Sequence, residues 1–225
     1  MIGTVLATPL TGCGRMRSYT YRFRMTVSVA TPDGEKSGSS VFEQTVAANG
    51  VDLGDLAGKR GIRTRGEAVA VDLPTGQTLF ALIPESEAAQ ASLDPAWHND
   101  WSESAERITS GHTPSGPVPF RMSAVEPSGP NPPIIFVRFR DPTDPATVEA
   151  VDPANLSARF GTGVSLKSVA LQLTDDDVGQ GIIERLPWLK GYFNRSLTGQ
   201  RITNPYGPVT ETLRAGSFST EITNG

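Results

Sequence analysis

The chain has 225 residues, of which 37% are hydrophobic and 20% are charged, a balance typical of a globular domain rather than of a disordered chain. Its 24 acidic and 20 basic residues give a formal charge of −4, so we expect no nucleic-acid partner. A single cysteine excludes an intramolecular disulfide, and no apolar run reaches the roughly 18 residues that a membrane-spanning helix needs.

The first informative pattern is at residues 10–13, where an apolar residue and two small residues precede Cys13. This is the pattern of a bacterial lipobox, in which lipid is attached to the cysteine. Acyl chains on Cys13 would hold the protein on a membrane, because each buried methylene contributes about 0.8 kcal/mol. The preceding apolar run is short, contains Pro9 and has no basic residue before it, so we expect the native start to lie further upstream. The alternative is a chance match in a cytosolic N-terminus.

Residues 1–18 are therefore interpreted as a truncated signal, lipobox and tether, and residues 19–225 as a single β-rich domain. Residues 19–29 alternate apolar and polar, which predicts a strand with its odd positions in the core. A Thr-Pro-Asp-Gly turn joins this strand to a second one at 39–46.

A second hairpin is predicted further along the chain, and its strands are apolar on both faces. We expect both of these strands to lie centrally in the sheet, covered on both sides. The hairpin joins residues 67–73 to residues 78–83.

The next pattern is helical and begins at Asp94, a natural N-cap followed by Pro95 at the first helical position. Trp97, Trp101, Ala105 and Ile108 recur at helical spacing and predict one buried face. The remaining predictions are strands at 134–139, 164–174 and 217–222, a short helix at 153–160, and a helix at 178–186 capped by Asp177. The predicted fold class is mainly β with short helices (α+β), as an antiparallel sheet or sandwich built from hairpins.

Two aromatic groups are candidate binding surfaces. Trp97 and Trp101 could stack on a ligand, although packing of their helix onto the sheet is the simpler interpretation. Trp188, Tyr192 and Phe193 could form an apolar surface that docks a partner, with closure of the core as the alternative.

Catalytic and metal chemistry have weaker support. The three carboxylates at 175–177 could bind calcium, but at a predicted helix start they are typical of a solvated cap. A hydrolytic site could be drawn from Ser102, His98 and a distant carboxylate, but no nucleophile motif supports it. His98 and Asp100 are two positions apart on the predicted helix and do not share a face, and His112 lies in a Gly/Pro loop. We therefore assign no catalytic residue, no metal ligand and no cofactor.

Several segments together resemble small lipoproteins of proteobacteria: the lipobox, Tyr-Arg-Phe-Arg-Met-Thr-Val in the first strand, the repeated Asp-Pro pairs, and Arg-Leu-Pro-Trp-Leu at 185–189. The resemblance implies a cell-envelope location, facing the periplasm, and no particular activity. The hypothesis from sequence is a membrane-anchored binding or structural module with an envelope protein as its partner. The alternatives are a periplasmic hydrolase and an inhibitor or immunity-type protein.

Overall fold

The structure, a computed structural model, describes residues 18–47, 61–74, 76–98, 100–121, 132–192, 196–199, 207 and 209–222. Over these residues the chain forms two antiparallel sheets with short helices around them, which confirms the predicted fold class. None of the described helices is long and apolar enough to cross a membrane.

The first sheet has the strand order β3-β2-β1-β9-β6. Its strands are β1 (Ser18–Thr31), β2 (Gly34–Ala47), β3 (Ile62–Arg65), β6 (Val118–Pro119) and β9 (Ser165–Leu173). The second sheet has the order β4-β5-β7-β8. Its strands are β4 (Val69–Asp72), β5 (Thr78–Ala81), β7 (Phe136–Phe139) and β8 (Val148–Ala150).

The described helices are short. They are α1 (Ser86–Leu93), α2 (Trp101–Thr109), α3 (Ser157–Phe160), α4 (Ile182–Arg185) and α5 (Val209–Thr212). Single 3₁₀ turns lie at Pro145–Thr147, Pro187–Gly191 and Ala215–Ser217.

The first hairpin has the predicted alternation and turn. Strands β1 and β2 pair along their whole length, with Phe23 opposite Phe42, and the odd positions of β1 from Tyr21 to Val29 are buried. The Thr31 hydroxyl donates a hydrogen bond to the Gly34 carbonyl at 2.6 Å and closes the turn. The buried face of this hairpin forms one side of the first hydrophobic core.

The second sheet separates two cores. In β5, Leu79 and Ala81 face the first core, whereas Phe80 faces the second, so this strand is covered on both sides as predicted. Strand β5 lies between β4 and β7, but β4 is at the edge of the sheet, so the expected central position is wrong for β4.

The region between 86 and 109 differs from its prediction. Helix α1 was not predicted, Asp94 is the C-cap of α1 rather than an N-cap, and the next helix begins only at Trp101. The Asp94 carboxylate bonds the Ala96 N–H in a local turn, but Asp100 accepts from the Glu103 N–H at 2.9 Å and caps α2.

The C-terminal predictions also need correction. Asp177 does not cap a helix from 178, because Gly179 and Gly181 interrupt it, and α4 begins after Gly181, whose φ is 125°. The strand expected at 217–222 is reduced to one antiparallel bridge between Ser219 and Glu67.

Candidate functional site

A polar cavity of about 310 Å³ lies where β2, β4 and the chain around α4 meet. Ser39 and Ser40 line it from β2, Ala70 lines it from β4, and the opposite wall comes from residues between 179 and 185. We call it the Glu67 cavity, because Glu67 also lines it. Ligand pockets in proteins begin at roughly 300 Å³, so this cavity suits a small ligand.

Glu67 is the buried charged group of this cavity, with 5% of its surface exposed. Its Oε2 accepts a hydrogen bond from the Ile182 N–H at 2.9 Å, and its Oε1 accepts one from the Ser219 hydroxyl at 3.1 Å. Both donors are neutral, and none of the ion pairs between described residues includes Glu67. A carboxylate has about four acceptor positions, and these two bonds use two of them.

Backbone hydrogen bonds on both sides fix the position of Glu67. The Ala68 N–H donates to the Phe218 carbonyl at 2.7 Å, and the Thr220 N–H donates to the Gly66 carbonyl at 3.0 Å. The carboxylate is therefore held between the start of β4 and the C-terminal part of the chain.

Residues 174–181, which we call the strap, close one side of the cavity. Asp176 pairs with Arg24, and Asp177 pairs with Arg22 at 3.3 Å, so two carboxylates tie the strap to β1. The Thr174 hydroxyl and the Arg24 guanidinium lower the pKa of Asp176. These contacts lie on the outer, solvated face of the first sheet.

The end of the strap approaches β2 closely. The Gly179 N–H donates to the Val41 carbonyl at 3.0 Å. A Cβ at position 179 would lie 2.4 Å from the Ser40 Oγ and 3.3 Å from the Val41 backbone nitrogen. A larger residue at position 179 would therefore force the Ser40 side chain, which lines the cavity, to move.

Arg185 lines the cavity, but its charge is matched by a residue outside the lining. Its terminal nitrogens donate to the two carboxylate oxygens of Asp72 at 2.7 and 2.9 Å. This bidentate pair lowers the pKa of Asp72 and raises the pKa of Arg185. Glu184 is a further lining residue and is exposed, so the net charge that faces the cavity is negative.

A second cavity, of about 330 Å³, lies between the start of β1 and the end of α2. Tyr21 lines it, but the Tyr21 hydroxyl donates to Gln44, and burial raises the pKa of Tyr21. Arg22, which also lines it, is paired with Glu43 at 2.8 Å. Asp175, the other charged residue of the lining, is exposed. None of the described charged residues that line this cavity is buried, so it is the weaker candidate.

Trp188, one of the residues expected at a partner surface, is half-buried and packs inward. Its indole N–H donates to the Pro142 carbonyl at 2.9 Å, and its ring lies 5.4 Å from Phe139 and 6.0 Å from Phe218. Tyr192 is also half-buried and lies 5.6 Å from Trp188. Phe193 lies outside the described residues.

Trp97 and Trp101 lie next to each other, with ring centroids 6.5 Å apart and planes tilted by 58°. Trp101 packs against the first core, whereas Trp97 lies before α2 rather than on it. Both rings are half-buried, and neither lines the two cavities described above.

The residues considered for catalysis do not converge. His98 bonds the Ala96 carbonyl and the Glu103 carboxylate, each at 2.9 Å, while Ser102 donates to Asp100 at 3.1 Å. All of these contacts are local and exposed, and His112 is exposed too. These side chains line neither of the two cavities.

The acidic run at 175–177 does not gather around a cation site, since two of its carboxylates pair with arginines of β1. Within the described ranges no group of three or more His, Cys, Asp or Glu side chains is placed to hold a metal ion. Cys13, the predicted lipidation site, lies outside the described residues.

Comparison of the chain with known protein families, curated proteins and solved structures finds no match. What the cavity does must therefore follow from its own residues. Glu67 was not identified from sequence, because one glutamate at the start of an apolar strand carries no motif.

Proposed function

We propose that this protein is a lipid-anchored module of the bacterial cell envelope that binds a small polar ligand in the Glu67 cavity. The observation that carries the proposal is a buried carboxylate that lines an open cavity and has only neutral hydrogen-bond donors as partners. Burying a charge costs free energy unless an opposite charge pairs with it. A ligand with a positive group would supply the counter-charge that Glu67 does not receive from the described residues.

The anchor part of the proposal rests on the lipobox. Cys13 precedes Ser18, the first residue of β1, by five positions. Five extended residues span at most about 18 Å, so acyl chains on Cys13 would hold the β domain close to a membrane surface. Labelling with fatty acid in the native host tests this part, since label should appear on the wild type and be lost in Cys13→Ser.

Binding rather than hydrolysis is proposed because of where the reactive side chains lie. Hydrolysis would need a nucleophile and a base within hydrogen-bond reach in one pocket. His98 instead pairs with Glu103, and Ser102 with Asp100, on an exposed turn. The cavity itself offers hydroxyls, a carboxylate and backbone, which are groups for recognition.

Ligand binding is tested by saturation-transfer NMR on the full chain with a panel of amino acids, amines, monosaccharides and carboxylic acids. The variant Ala70→Leu extends a larger side chain from β4 and fills the cavity while leaving Glu67 in place. Its matched control is Ala150→Leu, at an exposed alanine of β8 outside the cavity lining.

We expect at least one compound to bind the wild type and Ala150→Leu but not Ala70→Leu. If no compound separates the two variants, the cavity is not a ligand site. One envelope protein captured equally by both variants would instead favour the inhibitor or immunity-type interpretation, and hydrolysis of a p-nitrophenyl ester that is lost in His98→Ala would favour the enzyme.

A further inference from the structure

We infer that the ligand of the Glu67 cavity carries a primary ammonium group on a short aliphatic body, and that Glu67 is the residue that binds the ammonium. The inference rests on the proposed function and names the chemical class of its ligand. It follows from the charge, the free acceptor positions and the size of the cavity.

The charge that faces the cavity favours a cation. Glu67 and Glu184 both line it, and Glu67 has only the Ile182 N–H and the Ser219 hydroxyl as partners. An ammonium placed against Glu67 would supply the counter-charge that the described residues do not provide, and it would donate to the unused acceptor positions of the carboxylate.

An anion, by contrast, would find the positive charge of the lining already matched. Arg185 is the cationic residue of the lining, and both of its terminal nitrogens bind Asp72. A guanidinium has further N–H donors, but the pair of Arg185 with Asp72 is neutral overall and adds no net positive charge to the cavity. A carboxylate ligand would also lie beside Glu67 and be repelled by it.

The other residues that line the cavity limit the size and polarity of the rest of the ligand. Most of the lining surface is polar, and Ala68, Ala70 and Ile182 contribute a smaller apolar part. Ser40 contributes a hydroxyl close to the strap. A volume of about 310 Å³ is at the small end of ligand pockets, so the space fits an ammonium with a few methylenes rather than a large molecule.

The experiment compares three probes of similar shape and different charge, namely n-butylammonium, 1-butanol and butanoate, by NMR titration of the full chain. We expect n-butylammonium to bind at least about tenfold more tightly than 1-butanol, and butanoate to bind most weakly. Glu67→Gln should weaken n-butylammonium binding at least about tenfold and leave 1-butanol binding within about twofold.

Controls separate loss of charge from loss of fold. Glu106→Gln removes a glutamate charge from the exposed face of α2, outside the cavity, and should leave all three affinities unchanged. Glu67→Gln keeps an acceptor for only one of the two donors, so its thermal melting is recorded. If Glu67→Gln does not fold, Ala70→Leu takes its place. This variant keeps Glu67 and its hydrogen bonds, and it should also lose n-butylammonium binding because leucine fills the cavity.

Equal affinities for n-butylammonium and 1-butanol, tighter binding of butanoate, or amine binding that survives both Glu67→Gln and Ala70→Leu would overturn the ammonium inference. If a neutral or anionic panel compound still binds Ala150→Leu but not Ala70→Leu, the proposed binding function stands and only the ammonium inference is wrong. If no compound of either experiment binds in the cavity, both fail.

Discussion

The two hydrophobic cores of this protein are built in different ways. The first lies between the two sheets and is filled by long paired strands, with Phe23 stacked on Phe42 at 5.5 Å. The second lies on the other face of the second sheet and is covered by short helices and turns from the C-terminal part of the chain. Neighbouring strands are joined by continuous ladders of backbone hydrogen bonds, whereas the cover of the second core is joined to the strands by single backbone bonds and individual side chains.

Aromatic rings join that cover to the second sheet. Phe80, Phe139, Trp188 and Phe218 form a cluster, with edge contacts such as Phe80 to Phe139 at 5.7 Å. Glu67 adds the polar counterpart, because its carboxylate holds the start of α4 and Ser219 together. The candidate site thus lies at the boundary where the C-terminal cover meets the strands.

The largest expected effect is in the first core, at Phe23. Phe23→Asp would bury a carboxylate in a fully apolar position with no partner, and we expect it to reduce the free energy of unfolding by about 4 kcal/mol or more. The matched control is Ser18→Asp, which places the same carboxylate at an exposed position of the same strand and should change stability by less than about 0.5 kcal/mol.

Urea unfolding of the two variants measures the difference, and similar losses would mean that the burial assigned to β1 is wrong. Arg22, the neighbour of Phe23 on the polar face, would not serve as a control. Arg22 pairs with both Glu43 and Asp177. A carboxylate at position 22 would therefore be repelled by these two carboxylates, in addition to removing the ion pairs.

A smaller loss is expected in the second core, at Trp188. Trp188→Ala removes ring contacts to Phe139 and Phe218 and the bond to the Pro142 carbonyl, but the ring is only half-buried. We expect a loss of about 2–3 kcal/mol, below the 3–5 kcal/mol of a fully buried tryptophan.

The control for Trp188→Ala is Lys190→Ala, an exposed residue of the same 3₁₀ turn, which should change stability by less than about 0.5 kcal/mol. Unchanged stability of Trp188→Ala, together with loss of a captured envelope protein, would restore the docking interpretation of this tryptophan.

The same contrast explains how far the sequence could be interpreted. The period-two alternation at 19–29 is a local signal, and the strand, its buried face and its turn follow from it. Strands β7 and β9 were likewise found because their apolar runs are bounded by turn residues. The C-terminal cover has no such period, since Gly179, Gly181 and Pro187 break it into single turns.

The candidate site could not be predicted from the sequence for a related reason. The Glu67 carboxylate bonds residues that lie 115 and 152 positions further along the chain. No local pattern specifies such pairs. The helix expected from Asp94 was wrong for a local reason. The Asp94 carboxylate accepts the Ala96 N–H in a turn, whereas Asp100, six positions later, accepts the N–H of the third helical residue.

The smallest expected effect lies outside both cores, at His98. Two contacts raise the pKa of His98 above its ordinary value of 6.5. The larger contribution comes from the hydrogen bond to the Ala96 carbonyl, and the next comes from the Glu103 carboxylate. A raised pKa in the folded state means that protonated His98 stabilises the fold at pH values below 6.5, and that this contribution is lost as the pH rises through the folded pKa.

NMR titration should show a pKa of His98 above 6.5 in the wild type and a pKa closer to 6.5 in Glu103→Gln. The melting-temperature difference between the two proteins should therefore be larger at about pH 5.5 than at about pH 9. Identical titration curves in both proteins would show that the Glu103 contact does not form in solution.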